Sequence, residues 1–214
     1  MITDEKRIKI LRTRCRERKL QNWLDPAVID YEFYRGTKPV QSHQLRMGLR
    51  TRNRLVNLPL ALDEYELLIG RVNTESFSNQ NAKKYATAKK YLTKIPFLVH
   101  TPGQTGHCEL SRELLFTKGI DGIAAEIQAK LRQTKSPRIR DVYRSFLSAL
   151  DGLSTLIVNA VSVIQTAIPK TANPGRKQEL IELLTVCTNI AHRPPGTFYE
   201  AIQLLWLMDL AVSY

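Results

Sequence analysis

Carboxylates are scarce in this chain: 20 Asp and Glu stand against 32 Lys and Arg over 214 residues, a net charge of +12. Cysteine is scarcer still, with Cys15, Cys108 and Cys187 at scattered positions. An odd, dispersed set argues against a disulfide framework and fits a reducing compartment. No apolar run reaches 18 residues, and the most apolar stretch is interrupted by Gln203 and Asp209, which argues against a membrane span. Lys6 and Arg7 are followed by no uninterrupted apolar segment, so no secretory leader is expected and the expected location is cytoplasmic. Internal repeats and low-complexity tracts are also lacking. What is present is ordinary for a globular protein, 43% hydrophobic and 24% charged residues. A chain of this length, read as one unit over residues 1–214, can bury about 70% of its unfolded surface.

The charge excess is densest from Lys6 to Lys19, where eight of fourteen residues are Lys or Arg. Such a run raises nucleic acid as a partner. Ile8, Leu11 and Cys15 recur through it at i, i+3 and i+7, however, so it also reads as an amphipathic helix with a basic, solvated outer face.

Hydrophobic spacing is helical throughout, and the fold class expected is all-α. A first helix is expected over Asp4–Leu24, ended by Asp25-Pro26, with a short helix from Pro26 to Tyr34. Ser42 can cap a helix carrying Leu45, Leu49 and Val56 that stops before Pro59. Leu67-Leu68-Ile69 reads as a short extended piece, and Thr74 to Asn81 as a polar loop. A Lys-rich helix is expected from Ala82 to Ile95, and a loop over Thr101–Gly106. Ser111 to Lys118 forms a helix that Gly119 can close, and Ile120, Ile123, Ile127 and Leu131 define the next helical face. The longest helix spans about Arg138 to Ile168. Its expected stripe is Phe146, Leu147, Leu150, Leu153, Ile157, Val158, Val161, Ile164 and Ile168, and Pro169 stops it.

The last forty residues carry the most information. Asn173-Pro174-Gly175 opens a helix with Leu180, Leu183, Leu184, Cys187 and Ala191 on one face. After the breaker His192-Arg193-Pro194-Pro195-Gly196, Thr197-Phe198-Tyr199-Glu200 spells a capping box. In it the Thr197 hydroxyl accepts from the Glu200 N–H, and the Glu200 carboxylate accepts from the Thr197 N–H. The helix that follows, Ala201 to Val212, is apolar almost all round, a pattern of a buried element. Further structure beyond Tyr214 is expected to cover it.

This region, Cys187 to Leu210 with its Thr-Phe-Tyr-Glu-Ala and Gln203-x-x-Trp206 elements, resembles the pyruvate formate-lyase family of glycyl radical enzymes. Three earlier stretches match that family in the same order. Asp63-Glu64-Tyr65-Glu66-Leu67-Leu68-Ile69-Gly70 is similar to its acidic turn. Gly106-His107 resembles its Gly-His turn, and Gly119-Ile120-Asp121-Gly122-Ile123 its helix entry. The resemblance implies the N-terminal helical part, about a quarter, of an α/β-barrel enzyme that continues past residue 214. The family it implies is formate acetyltransferase-like: a lyase, acyl transferase or dehydratase acting anaerobically on a small polar substrate. It further implies a homodimer, and a glycyl radical installed by a separate S-adenosylmethionine iron–sulfur activating enzyme.

The family's radical passes from a backbone glycine to a cysteine thiyl inside a dry barrel. Neither motif is found here, since no Arg-Val-x-Gly-Tyr-like loop occurs and none of the three cysteines stands in a catalytic context. No catalytic, cofactor-binding or metal-binding residue is therefore assigned within the chain. His100, His107 and Cys108 lack a nearby fourth ligand for zinc. Gly103-x-x-Gly106 lacks the rest of a phosphate loop. Asp63, Glu64 and Glu66 read as solvent-facing or capping carboxylates. Cys187 and Trp206 read as core. The alternative from a different class is a free-standing basic helical module binding nucleic acid or protein.

Overall fold

A computed structural model describes residues 4–17, 24–36, 42–73, 82–92 and 112–213. The described chain runs α1 (Asp4–Glu17), α2 (Leu24–Gly36), α3 (His43–Val56), β1 (Leu60–Ala61), β2 (Arg71–Val72), α4 (Ala82–Leu92), α5 (Arg112–Gln133), α6 (Pro137–Ala167), a 3-10 turn (Ile168–Lys170), α7 (Pro174–Ile190) and α8 (Phe198–Ser213). The two strands pair antiparallel, Leu60 opposite Val72. The architecture is otherwise helical, as the spacing predicts. The expected loops over 74–81 and 101–106, and the end of the Lys-rich helix beyond Leu92, lie outside the described residues.

Helix α6 is the axle, with α3, α5 and α7 packed along it. It is long and apolar enough to cross a membrane by length and composition. Here it buries Leu153, Leu156, Ile157, Ala160 and Ile164 against its neighbours. Each such aliphatic side chain contributes about 1.5–3 kcal/mol by leaving water. The stripe is rotated from the one expected: Phe146 and Val158 are exposed, while Leu156 and Ala160 turn inward. A stripe read from one helix cannot say which edge its neighbours cover. The core continues through Leu55, Leu58 and Leu60, Ile69 and Val72, Leu115 and Ile120, and the inner faces of α7 and α8.

Capping follows the sequence closely. The Ser42 hydroxyl accepts from the Leu45 N–H at 3.3 Å, and the Asn173 side chain accepts from the Arg176 N–H at 3.1 Å. Asp25-Pro26, expected to end a helix, sits instead in the first turn of α2. Proline has no N–H to offer there and none is needed, so it opens a helix as readily as it closes one. Leu67 and Leu68, expected in a short extended piece with Ile69, form a bend between the strands.

The orientation of α1 also differs from expectation. Ile8 is 51% exposed and Cys15 is exposed, while Arg7 is the buried residue of the helix. The helix docks through its arginines because the surface beneath it offers carboxylates rather than an apolar groove. Arg7 donates to both Glu179 oxygens at 2.7 and 2.9 Å, and Arg14 pairs with Asp63 while its guanidinium lies 4.8 Å over the Tyr65 ring.

Candidate functional site

The blocks that carry the family resemblance are far apart in sequence and bonded to one another in space. Gln203, fully buried in α8, holds Ile69 by both backbone groups: the Ile69 N–H donates to Oε1 at 3.0 Å, and Nε2 donates to the Ile69 carbonyl at 2.7 Å. One turn earlier the Tyr199 hydroxyl donates to the Leu67 carbonyl at 2.5 Å. A Cβ on Gly70 would fall 2.2 Å from Trp206 Cδ1, so only glycine lets the loop pass beneath the indole. The acidic turn and the Gln-x-x-Trp helix thus form one unit.

A second seam joins the Gly119 turn to the breaker before α8. Gly119 takes φ 65°, and α5 kinks there. A Cβ at Gly119 would meet Pro194 N at 2.4 Å. The Asp121 N–H donates to the His192 carbonyl at 3.0 Å, and His192 Nδ1 lies 3.2 Å from an Asp121 carboxylate oxygen. At the head of α8 the capping box is present in full. The Glu200 N–H donates to the Thr197 hydroxyl at 3.2 Å, and the Thr197 and Gly196 N–H groups donate to Glu200 Oε2 at 3.1 and 2.6 Å. Asn189 adds a bond to Oε1 at 2.8 Å, tying α7 to the same carboxylate. Burial alone raises the carboxyl pKa, but these donors, with Arg193 nearby, outweigh it and hold Glu200 below the usual carboxylate range.

Of the two roles expected for the acidic turn, solvent-facing or capping, Glu64 takes the first, while Asp63 and Glu66 accept from backbone N–H groups of the turn. Asp63 and Glu66 side chains are only 19% and 16% exposed, and Glu64 alone of the three is exposed. Glu66 accepts from the Asp63 N–H at 2.6 Å and from Arg71 at 3.1 Å. Beneath the turn, buried Arg176 donates to the Asp63 and Glu66 carbonyls at 3.2 and 2.7 Å and to Glu179 at 2.9 Å. The sequence alone does not single out Arg176, and it places Gln203 in a motif without showing that it grips Ile69. The one available signal was a polar side chain on a helical face otherwise filled by apolar residues, which must find partners when buried.

Between α1, the acidic turn and the head of α7 lies an open cleft of about 1290 Å³, lined by Arg7, Asp63, Tyr65, Lys170, Arg176 and Glu179 among others. Within it Arg7 and Arg176 both pair with Glu179. Cys187 is fully buried, and burial pushes its thiol up to about 12, the opposite of what a thiolate nucleophile requires. Cys15 is exposed on α1. His100, His107, Cys108 and the Gly103–Gly106 loop lie outside the described residues. Among the described residues no three His, Cys, Asp or Glu converge to hold a metal. Trp206, expected in the core, is 51% exposed: its edge meets Gly70 and its face is open.

Stitched at these motifs, the described helices form one bundle with Trp206 and Phe198 exposed on α8. The family model described as pyruvate formate lyase-like matches residues 78–214. The chain is 28% identical over 112 residues to the probable dehydratase YbiW of Escherichia coli, covering 50% of this chain and 14% of that protein. It is 31% identical over 112 residues to (2S)-3-sulfopropanediol dehydratase of Klebsiella oxytoca, covering 50% and 13%. In fold it resembles the glycerol-bound B12-independent glycerol dehydratase of Clostridium butyricum, with TM-score 0.77 at 18% identity, over 97% of this chain and 34% of that one. It also resembles a structure of 1,2-propanediol dehydration in Roseburia inulinivorans, with TM-score 0.79 at 17% identity, over 100% and 32%. The chain belongs to the pyruvate formate lyase-like family of glycyl radical enzymes, of which it is an N-terminal portion. It spans about a third of the length of these solved relatives.

Proposed function

We propose that this chain is the helical support of a glycyl radical dehydratase that removes water from a small hydroxylated substrate. The carrying observation is that the two curated relatives named above bear dehydratase names, over a matched segment covering half of this chain. That favours the dehydratase over the lyase or acyl transferase branch that the motifs alone leave open. In this reading the seams at Gln203 and Gly119 hold two loops in register at the open face of α8, where the barrel would pack. The barrel supplies the cysteine and the radical glycine, and a separate activating enzyme, a homodimeric state, anaerobic operation and a cytoplasmic location belong to the same proposal. Against the basic-module alternative stand the family match over residues 78–214 and the pairing of two α1 cations, Arg7 and Arg14, with Glu179 and Asp63.

The test begins with the coding DNA beyond codon 214. A continuation carrying a barrel cysteine and an Arg-Val-x-Gly-Tyr-like loop is expected. The continuous protein, produced anaerobically with its activating enzyme, should show a glycyl radical by electron paramagnetic resonance and convert a small diol to an aldehyde. Unrelated sequence after codon 214 would overturn the reading. A radical that forms while only C–C cleavage is observed would overturn its dehydratase part.

A further inference from the structure

Half of the chain's charge excess sits on three short helices that pack together. α2, α3 and α4 contain nine Lys and Arg against three carboxylates, a net +6 of the chain's +12. α2 lies against both of the others. α1 carries a smaller excess, six cations against three carboxylates, and α5 carries four against three over 22 residues. Solvated helix faces ordinarily mix the two signs in this way.

One of the three carboxylates is used inside the layer. Asp30, with a side chain 8% exposed, accepts from Arg50 Nε at 2.9 Å and from Arg54 Nε and Nη2 at 2.8 and 2.5 Å. Arg46, one turn before Arg50, lies with its guanidinium 5.0 Å over the Tyr34 ring, a contact that removes no charge. Arg50 and Arg54, one turn apart on α3, thus share a single carboxylate, and Arg52 pairs with Asp151 of α6. Burial works against charge on Arg50, but Asp30 and Tyr34 outweigh it and keep the group firmly protonated. α4 adds four lysines and no carboxylate, with Lys83 and Lys90 exposed.

We propose that the α2–α3–α4 layer is a docking surface for an acidic protein segment. Planar guanidinium forks match carboxylate geometry, and Asp30 shows that these forks already accept one. Binding of single-stranded nucleic acid calls for aromatic faces free to stack with bases. Here most rings are engaged: Tyr31 stacks on Tyr91 at 5.3 Å, leaving Tyr91 51% exposed, Phe33 meets Tyr34 edge-on at 5.3 Å, and Arg46 covers Tyr34. This inference does not depend on the dehydratase reading.

The experiment titrates the full chain with a fluorescein-labelled polyglutamate peptide and, in parallel, with an oligothymidylate of equal charge, at several salt concentrations. Polyglutamate is expected to bind with strong salt dependence. The charge reversal Lys83→Glu with Lys90→Glu is expected to weaken it by about tenfold, since like charges then face each other. The reversal Lys130→Glu with Arg132→Glu on exposed positions of α5 changes net charge equally and is expected to leave binding within about twofold. Circular dichroism should show both variants folded, because all four side chains are exposed. Absence of polyglutamate binding, or equal loss in both variants, would overturn the docking surface. Tighter binding of the oligothymidylate, lost in the α4 variant, would replace the acidic protein with nucleic acid.

Discussion

At Gln203 a primary amide buried without solvent keeps both halves hydrogen-bonded to one residue of a distant loop. Replacing it with leucine fits the apolar helix but strands the Ile69 N–H and carbonyl. The expected cost of Gln203→Leu is about 2–3 kcal/mol, read from urea unfolding. A loss below about 0.5 kcal/mol would mean that the loop finds other partners. Gly70→Ala should be comparably damaging, because the added Cβ collides with the Trp206 ring. The cysteines give a chemical readout at the same scale. With its thiol pushed up to about 12 inside the core, Cys187 should resist iodoacetamide at pH 8 until the protein is denatured, whereas exposed Cys15 should be alkylated in the native state. Mass spectrometry of tryptic peptides checks both.

Helix α1 is attached as an element by charge. Glu179 sits between Arg7 and Arg176, and although partial burial opposes it, their hydrogen bonds and charges hold its carboxyl below the usual range. A depressed folded-state pKa contributes stability that is complete above the unfolded value of about 4.3 and is lost as pH falls through the folded value. Acid should therefore release α1 while the apolar contacts of α6 persist. Hydrogen exchange should show amides of residues 4–17 losing protection on acidification, and Glu179→Gln should bring on that loss at neutral pH. Unchanged protection in the variant would mean that α1 is held by something other than this pair. The capping box obeys the same sign: Glu200 also lies low, so Glu200→Gln should cost about 0.5–2 kcal/mol at pH 7 and progressively less in acid.

For the whole molecule the decisive surface is the outer face of α8, where Phe198 is 81% and Trp206 51% exposed, with Ile181 of α7 41% exposed as well. Large aromatics left open together mark a face that normally meets other protein. Phe198→Lys is expected to raise the concentration at which the chain stays monomeric in light scattering, with little change in melting temperature, since Phe198 contributes little to the core. A matching fall in melting temperature would show that Phe198 supports the fold.

The sequence by itself determined the helices, their caps and the family. Ser42, Asn173 and the Thr197–Glu200 box are local hydrogen-bonding arrangements whose partners lie three residues away, so spacing alone specifies them. Only the tertiary structure decided which way α1 faces, which edge of α6 is covered, and that Gln203, Arg176 and the two glycine turns join motifs more than seventy residues apart. Those outcomes depend on what each face finds opposite it. A helix with both an apolar and a cationic stripe buries whichever stripe meets its complement, and for α1 the complement was a pair of carboxylates.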